Sequence, residues 1–262
     1  GEPFLANLRT ASPSNVVYAL AGGFIFNIAN LLLVAGIELA GLAVAFPISI
    51  GIAVVEGVGL SYAIQPKGSP VYLAAGVILA VLAIVFDALA YRYVSRAGRR
   101  ISRRAIIVNV VSGLLMGAFA PFVTKALTAG HPLTPYGITA FFALGALACC
   151  FVVNIYFMHH PLIGKPADFS EFRQARPSDH LLGFAGGIVW GLGTAFNFIG
   201  ASFAGMAVSY AIGQSSPMIA ALWGVFVFKE FAGSGRRAWR FLALMFAFYT
   251  AAVVVIALAY RG

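Results

Sequence analysis

Charged residues are what this sequence has least of. Only 10% of its 262 positions are Asp, Glu, Lys or Arg, whereas 61% are hydrophobic and the mean hydropathy is +0.93. A water-soluble domain needs more charge than that on its surface, so the scarcity places the chain in a lipid bilayer. Cysteine is also scarce: Cys149 and Cys150 are the two, adjacent in an apolar run. That placement gives neither a disulfide framework nor metal-ligand spacing, and both are read as packing residues. His159, His160 and His180 flank one loop without a nearby Cys or a well-spaced carboxylate, so no metal site is expected. A Ser-His-Asp set, a G-x-S-x-G elbow, an H-E-x-x-H pair and a G-x-x-x-x-G-K-[ST] loop are all missing. Neither an intramembrane enzyme nor an ATP-driven machine is expected, and no cofactor.

What is present divides into eight apolar stretches, each near the ~20 residues that cross ~30 Å of hydrocarbon. They run at 16–35, 42–64, 71–91, 105–127, 136–158, 181–202, 206–228 and 239–260. Polar connectors bearing Pro and Gly, such as "QPKGSP" and "TAGHPLTP", separate them. The expected fold is all-α and integral to the membrane.

The 17 basic residues, against 8 acidic ones, fall unevenly between the two sides. The loop between the third and fourth stretches holds six Arg. Lys165, Arg173 and Arg176 lie on the same side, as do Lys229, Arg236, Arg237 and Arg240, giving thirteen in all. Arg9, Lys67, Lys125 and Arg261 are the four on the other side. The thirteen-residue side is expected to be cytoplasmic, in a multi-pass protein of the cell membrane. Nucleic acid is not an expected partner; lipid is, and a homodimer is an open option.

Two segments match without a gap at an offset of 164: "AGGFIFNIANLLLVAGIELAGLAVAFPI" from Ala21 and "AGGIVWGLGTAFNFIGASFAGMAVSYAI" from Ala185. Ala21, Gly22, Gly23, Gly36, Ala40, Gly41, Ala43, Val44 and Ile48 recur as Ala185, Gly186, Gly187, Gly200, Ala204, Gly205, Ala207, Val208 and Ile212. The charge count puts the turn of the first copy inside and that of the second outside. An inverted-topology repeat is therefore expected, as in many secondary transporters. Residues 1–91 would be the remainder of the first repeat, 92–104 a basic cytoplasmic linker and 105–262 the complete second repeat. Two helices, about sixty residues, are expected ahead of the first copy, making the eight helices (three plus five) part of a ten-helix, five-plus-five fold.

"NIYFMHHPLIGKPADFSEF", "GFAGGIVWGLGTAFNFIGASFAG" and "QSSPMIAALWGVFVFKEF" resemble the ureide permeases of the drug/metabolite transporter superfamily. The run ending in "LWGVFVFKE" is also similar to the bacterial glucose- and ribose-type sugar uptake permeases of that superfamily. The resemblance implies ten helices in two inverted repeats and, in the plant proteins, proton-coupled uptake of allantoin-like ureides, oxopurines and pyrimidine bases. The chain departs from the plant pattern in its central loop, which is short, rich in Arg and without a nucleotide-binding glycine motif.

Candidate site residues come from polar positions inside apolar runs, where exposure to lipid is costly. Gln214, Ser215 and Ser216 precede Pro217, which frees a carbonyl one turn earlier and predicts a broken helix with polar backbone on offer. Pro47 is a second predicted break. Asn27 and Asn30 share one helical face, as do Trp190, Thr194 and Asn197. The offset pairs Phe26 with Trp190 and Asn30 with Thr194, so both halves place an aromatic and a polar residue at matching depth. A flat, neutral, hydrogen-bonding solute stacked on a ring suits such a surface; interhelical packing bonds are the structural alternative.

Glu56, deepest of the ionisable residues, and Asp87, near the cytoplasmic end of its stretch and Arg92, are the candidates for carrying a coupling proton or other ion. Glu230 is expected to pair with Arg236 and Arg237, and the GxxxG step of Gly187 and Gly191 to pack closely against another helix. The expected function is secondary active transport of a small polar solute, a ureide or nucleobase, by proton-coupled uptake with alternating access. Sugar uptake or metabolite and drug export within the superfamily, and a non-transporting membrane sensor or scaffold, are the alternatives.

Overall fold

The computed structural model describes residues 3–94 and 102–260, so most of the basic linker, 95–101, lies outside the described residues. The elements in order are α1 (Phe4–Thr10), α2 (Pro13–Ala40), α3 (Leu42–Ile64), α4 (Pro70–Val94), α5 (Arg103–Thr128) and α6 (Pro135–Cys149). After α6 come a π-helical turn (Cys150–Asn154), α7 (Ile155–His159), α8 (Phe169–Gln174), α9 (Pro177–Ala204), α10 (Met206–Gly213), α11 (Ser216–Phe226) and α12 (Arg236–Ala259). The protein is an all-α integral membrane protein. Among the described residues, seven helices are long and apolar enough to cross a bilayer, α6 and α7 counting as one span through the π turn. The stretch expected at 206–228 is not one helix: it is split into α10 and α11, each too short to cross alone.

Local chemistry sets the helix boundaries. Pro13, Pro135 and Pro177 open α2, α6 and α9 at the first position, where the missing N–H costs nothing. Ser102 caps α5 by accepting from Ala105 N at 3.1 Å. The reading of Pro47 as a break is corrected: α3 runs through it without interruption. Pro47 lies early in the helix, where the single intrahelical bond it removes is lost next to backbone groups that the helix end leaves unpaired anyway.

The 164-residue offset reappears in the backbone. Both α2 and α9 have 28 residues, and each starts and ends at the position the offset predicts. Gly41 and Gly205, which follow them, adopt φ 80° and 85°, a left-handed conformation open to glycine without strain, and α3 and α10 begin one residue later.

The core forms where small residues bring helices close. A Cβ on Gly23 would lie 1.9 Å from Phe142 O, and one on Gly145 would lie 2.0 Å from Leu20 O, so α2 and α6 meet backbone to backbone. Helix α5 packs between α2 and α3. There Ser112 Oγ donates to Ala29 O at 2.9 Å, and Ser49 Oγ donates to Asn109 O at 2.9 Å. Helices α4 and α12 form a second pair, with Gly76 against Ile256.

Candidate functional site

Phe26 and Trp190 meet at the middle of their helices, each thirteen residues from its helix start, with ring centroids 5.5 Å apart and planes 23° from parallel. They are counterparts under the repeat offset, so this contact joins the same position of the two copies. Phe119 and Phe142 close around Phe26 at 5.1 and 5.4 Å. Trp190 remains 41% exposed, leaving much of the indole available to another flat group.

Asn27, next along α2, turns its amide to the π turn: Nδ2 donates to Asn154 Oδ1 at 2.9 Å and approaches Cys150 Sγ at 3.7 Å. Among the described residues, Asn27 Oδ1 and Asn154 Nδ2 make no hydrogen bond, so the pair keeps one acceptor and one donor available. Sequence reasoning missed Asn154, although a lone Asn in the apolar run "FVVNIYF" carries the same signal that identified Asn27. It also took Cys150 for packing alone. A π turn of this kind often marks a functional position, because its extra residue re-aims the side chains on either side of it.

The other expected residues divide between the two helix contacts. Asn30 Nδ2 donates to Phe26 O at 3.3 Å, and Thr194 Oγ1 to Trp190 O at 2.9 Å, so both return to their own helix one turn back. Asn197 faces α10 instead, where its amide and the Ser209 hydroxyl bond each other's backbone. These two residues line a groove of about 360 Å³ that ends at Gly213. A Cβ on Gly213 would stand 2.8 Å from Asn197 Nδ2, so the bare glycine lets the amide reach the helix break. At Gln214 and Ser215 the chain leaves the helix, Ser215 Oγ donating to Ile212 O, and Pro217 sits in the first turn of α11. The structure thus joins α2 to α9 and α9 to α10; among the described residues, no hydrogen bond joins Gln214, Ser215 or Ser216 to α2.

Each carboxyl candidate has an oxygen without a hydrogen-bond partner among the described residues. Glu56 lies against Gly117 of α5, and its Oε2 makes no hydrogen bond. Asp87 is 3% exposed, and its Oδ1 makes no hydrogen bond among the described residues. Glu230 forms no ion pair with Arg236 or Arg237 among the described residues and instead accepts from Tyr91 Oη at 2.9 Å. The close packing expected of Gly187 and Gly191 is also not found. Among the described residues nothing lies within 4 Å of a Cβ on either, because α9 touches chiefly α6 and α10 and buries only Phe198 and Ala201.

A family model described as Ureide permease matches residues 103–259. Among curated proteins, the chain is 29% identical to Ureide permease 5 of Arabidopsis thaliana over 156 residues, covering 56% of this chain and 37% of that protein. It is 25% identical to Ureide permease 1 of the same plant over 159 residues, covering 58% of this chain and 40% of the relative. The match thus spans about two fifths of the length of these relatives. No solved structure matches.

Proposed function

Because the chain belongs to the ureide permease family, we propose that it is a secondary active transporter carrying a small polar solute, a ureide or nucleobase, across the membrane by alternating access. The stacked pair Phe26 and Trp190 carries this reading. An open aromatic face at the middle of two helices suits a flat heterocycle, and the unfilled acceptor of Asn27 and donor of Asn154 on the neighbouring residues suit its amide edges. Asn197 lines the groove between α9 and α10, and Asn30, Thr194, Gln214, Ser215 and Ser216 complete the proposed set of polar residues for the solute. Uptake is coupled to protons, with Glu56 and Asp87 as the carboxyls available inside the spans. The basic loops, including those after α4, α7 and α11, face the cytoplasm of the cell membrane.

The architecture belongs to the same proposal. Gly23 of α2 is pressed against α6, whereas its counterpart Gly187 of α9 faces open space. In a five-plus-five inverted repeat, the surface of α9 receives two helices of the first repeat as α2 receives α5 and α6, and the GxxxG step is where they dock.

Uptake by the intact protein in proteoliposomes tests the function, with labelled allantoin, uracil and glucose presented separately under an inward proton gradient. Gradient-driven uptake of allantoin or uracil, lost in Trp190→Ala, is the expected result. Uptake of glucose alone would replace the substrate class, and no flux of any solute would overturn the transporter reading.

A further inference from the structure

Asp87 is the most deeply buried carboxyl among the described residues, and its surroundings form a line that leads to the surface. It lies on α4 where that helix packs on α12, among Ala83, Ile84 and Ala90. Facing it from α12 is Tyr249, 0% exposed, whose hydroxyl also has no hydrogen-bond partner and lies within electrostatic reach of the carboxyl. One helical turn along α4, on the same face, stands Tyr91, also within that reach. Tyr91 Oη donates to Glu230 Oε2 at 2.9 Å, and Glu230 is exposed on the segment after α11. The buried ring of Phe231, 5.4 Å from that of Tyr91, anchors this segment. Gly224 of α11 closes over the pair: a Cβ there would meet Glu230 Oε2 at 2.6 Å and Tyr91 Oη at 3.3 Å.

Two unpartnered polar groups facing one another inside an apolar helix pair are too costly to be packing alone. Among the described residues no cation pairs with the carboxyl, and the ion pair found there joins Arg176 to Asp179. The titratable groups on the elements packed around Asp87 are Tyr249 and the exposed Arg236, Arg237 and Arg240 of α12, Tyr72, Tyr91, Arg92 and Tyr93 of α4, Glu230 of the segment after α11, and Tyr62 and Glu56 of α3, the latter facing Gly117. We propose that Asp87 is a proton-binding site, separate from the solute surface at Phe26 and Trp190, filled and emptied through Tyr91 and Glu230 from the α11–α12 side. Glu230 takes a proton from water. Tyr91 accepts that proton on its oxygen and gives up its own to the Asp87 carboxylate, a transfer that needs a side-chain rotation or a bridging water because neither Tyr91 nor Tyr249 hydrogen-bonds Asp87 among the described residues. Release runs the same steps backwards, so no other reactant is needed. That this proton drives solute movement rests on the transporter reading above.

The test uses the intact protein in proteoliposomes, with pH inside the vesicles and labelled solute followed together. Asp87→Asn, close in shape to the native residue, is expected to lose solute-evoked proton entry and gradient-driven accumulation by at least about tenfold while still exchanging labelled for unlabelled solute. Full accumulation in that variant would overturn the coupling role. Infrared spectroscopy reads the site without any solute: a carboxylic acid C=O band present in the native protein and missing from Asp87→Asn is expected, and its absence from the native protein would overturn the proposal. If the native protein moves no solute, the transporter reading falls and the infrared result alone decides the site. Glu230→Gln and Tyr91→Phe lie toward the exposed end and are expected to fold. In each, hydrogen–deuterium exchange of the band should slow about tenfold, and an unchanged rate would overturn the route.

Discussion

Asn197 and Ser209, twelve positions apart on either side of the Gly205 turn, hold each other's backbone: Asn197 Nδ2 donates to Ser209 O at 2.9 Å and Ser209 Oγ to Asn197 O at 2.6 Å. The two bonds fix the angle at which α10 leaves α9, and with it the position of the helix break beyond Gly213. Ser209→Ala removes one bond and is expected to cost about 0.6 kcal/mol, the usual worth of an interhelical bond within a membrane. Asn197→Leu removes a donor and puts bulk against Gly213, so a loss of about 1–2 kcal/mol is expected. Unfolding in mixed detergent, compared with the native protein, measures both.

The proposed function has solute stack on the exposed face of Trp190, so truncation and conservative replacement should separate. Trp190→Ala is expected to raise KM for a heterocyclic solute about tenfold, since an aromatic stack is worth up to about 1.5 kcal/mol. Trp190→Phe should recover most of that. Initial uptake rates at graded solute concentration give both values, with elution on size-exclusion chromatography as the check on folding.

Gly23 and Gly187 hold the same place in the two repeats and test the architecture. Gly23→Leu drives a side chain into Phe142 O and should cost several kcal/mol, about 3 or more. If two further helices cover α9 as α5 and α6 cover α2, Gly187→Leu in the intact protein will be comparably damaging. A Gly187→Leu protein with native thermal stability would show that face to be bathed in lipid.

The two prolines are expected to behave differently. Pro47→Ala restores a backbone bond inside a continuous helix and should raise the thermal midpoint with transport unchanged. Pro217 sits in the first turn of α11, where proline is well tolerated, so Pro217→Ala should change stability by less than about 1 kcal/mol. Because it lets α10 and α11 approach one helix, it should slow transport. Thermal unfolding and initial uptake rates distinguish these outcomes.

Much of this was legible in the sequence because the signals are local or periodic. Span lengths follow from hydropathy. The repeat shows in nine identities whose offset recurs in the bounds of α2 and α9 and in the twin glycine turns. The break at Gln214 and Ser215 follows from polar residues ahead of a proline. Asn154, Tyr91 and Tyr249 were not found, since each gains its meaning from a partner on another helix, and a single Tyr in a transmembrane run is ordinary. Gly187 and Gly191 misled for a related reason: a GxxxG step records that a surface can pack closely, while only the arrangement of neighbours says what fills it. Pro47 misled because a proline's effect depends on how far into the helix it stands.

The stack of Phe26 on Trp190 has a geometric consequence for a machine that works by exchanging the shapes of its two halves. Such an exchange sends every contact to a mirror contact elsewhere, opening one gate as it shuts the other. A contact between a residue and its own counterpart is sent to itself. Under the proposed alternating access, Phe26 and Trp190 therefore stand at the fixed point of the motion, a fulcrum that both access states share while the helices around it change sides.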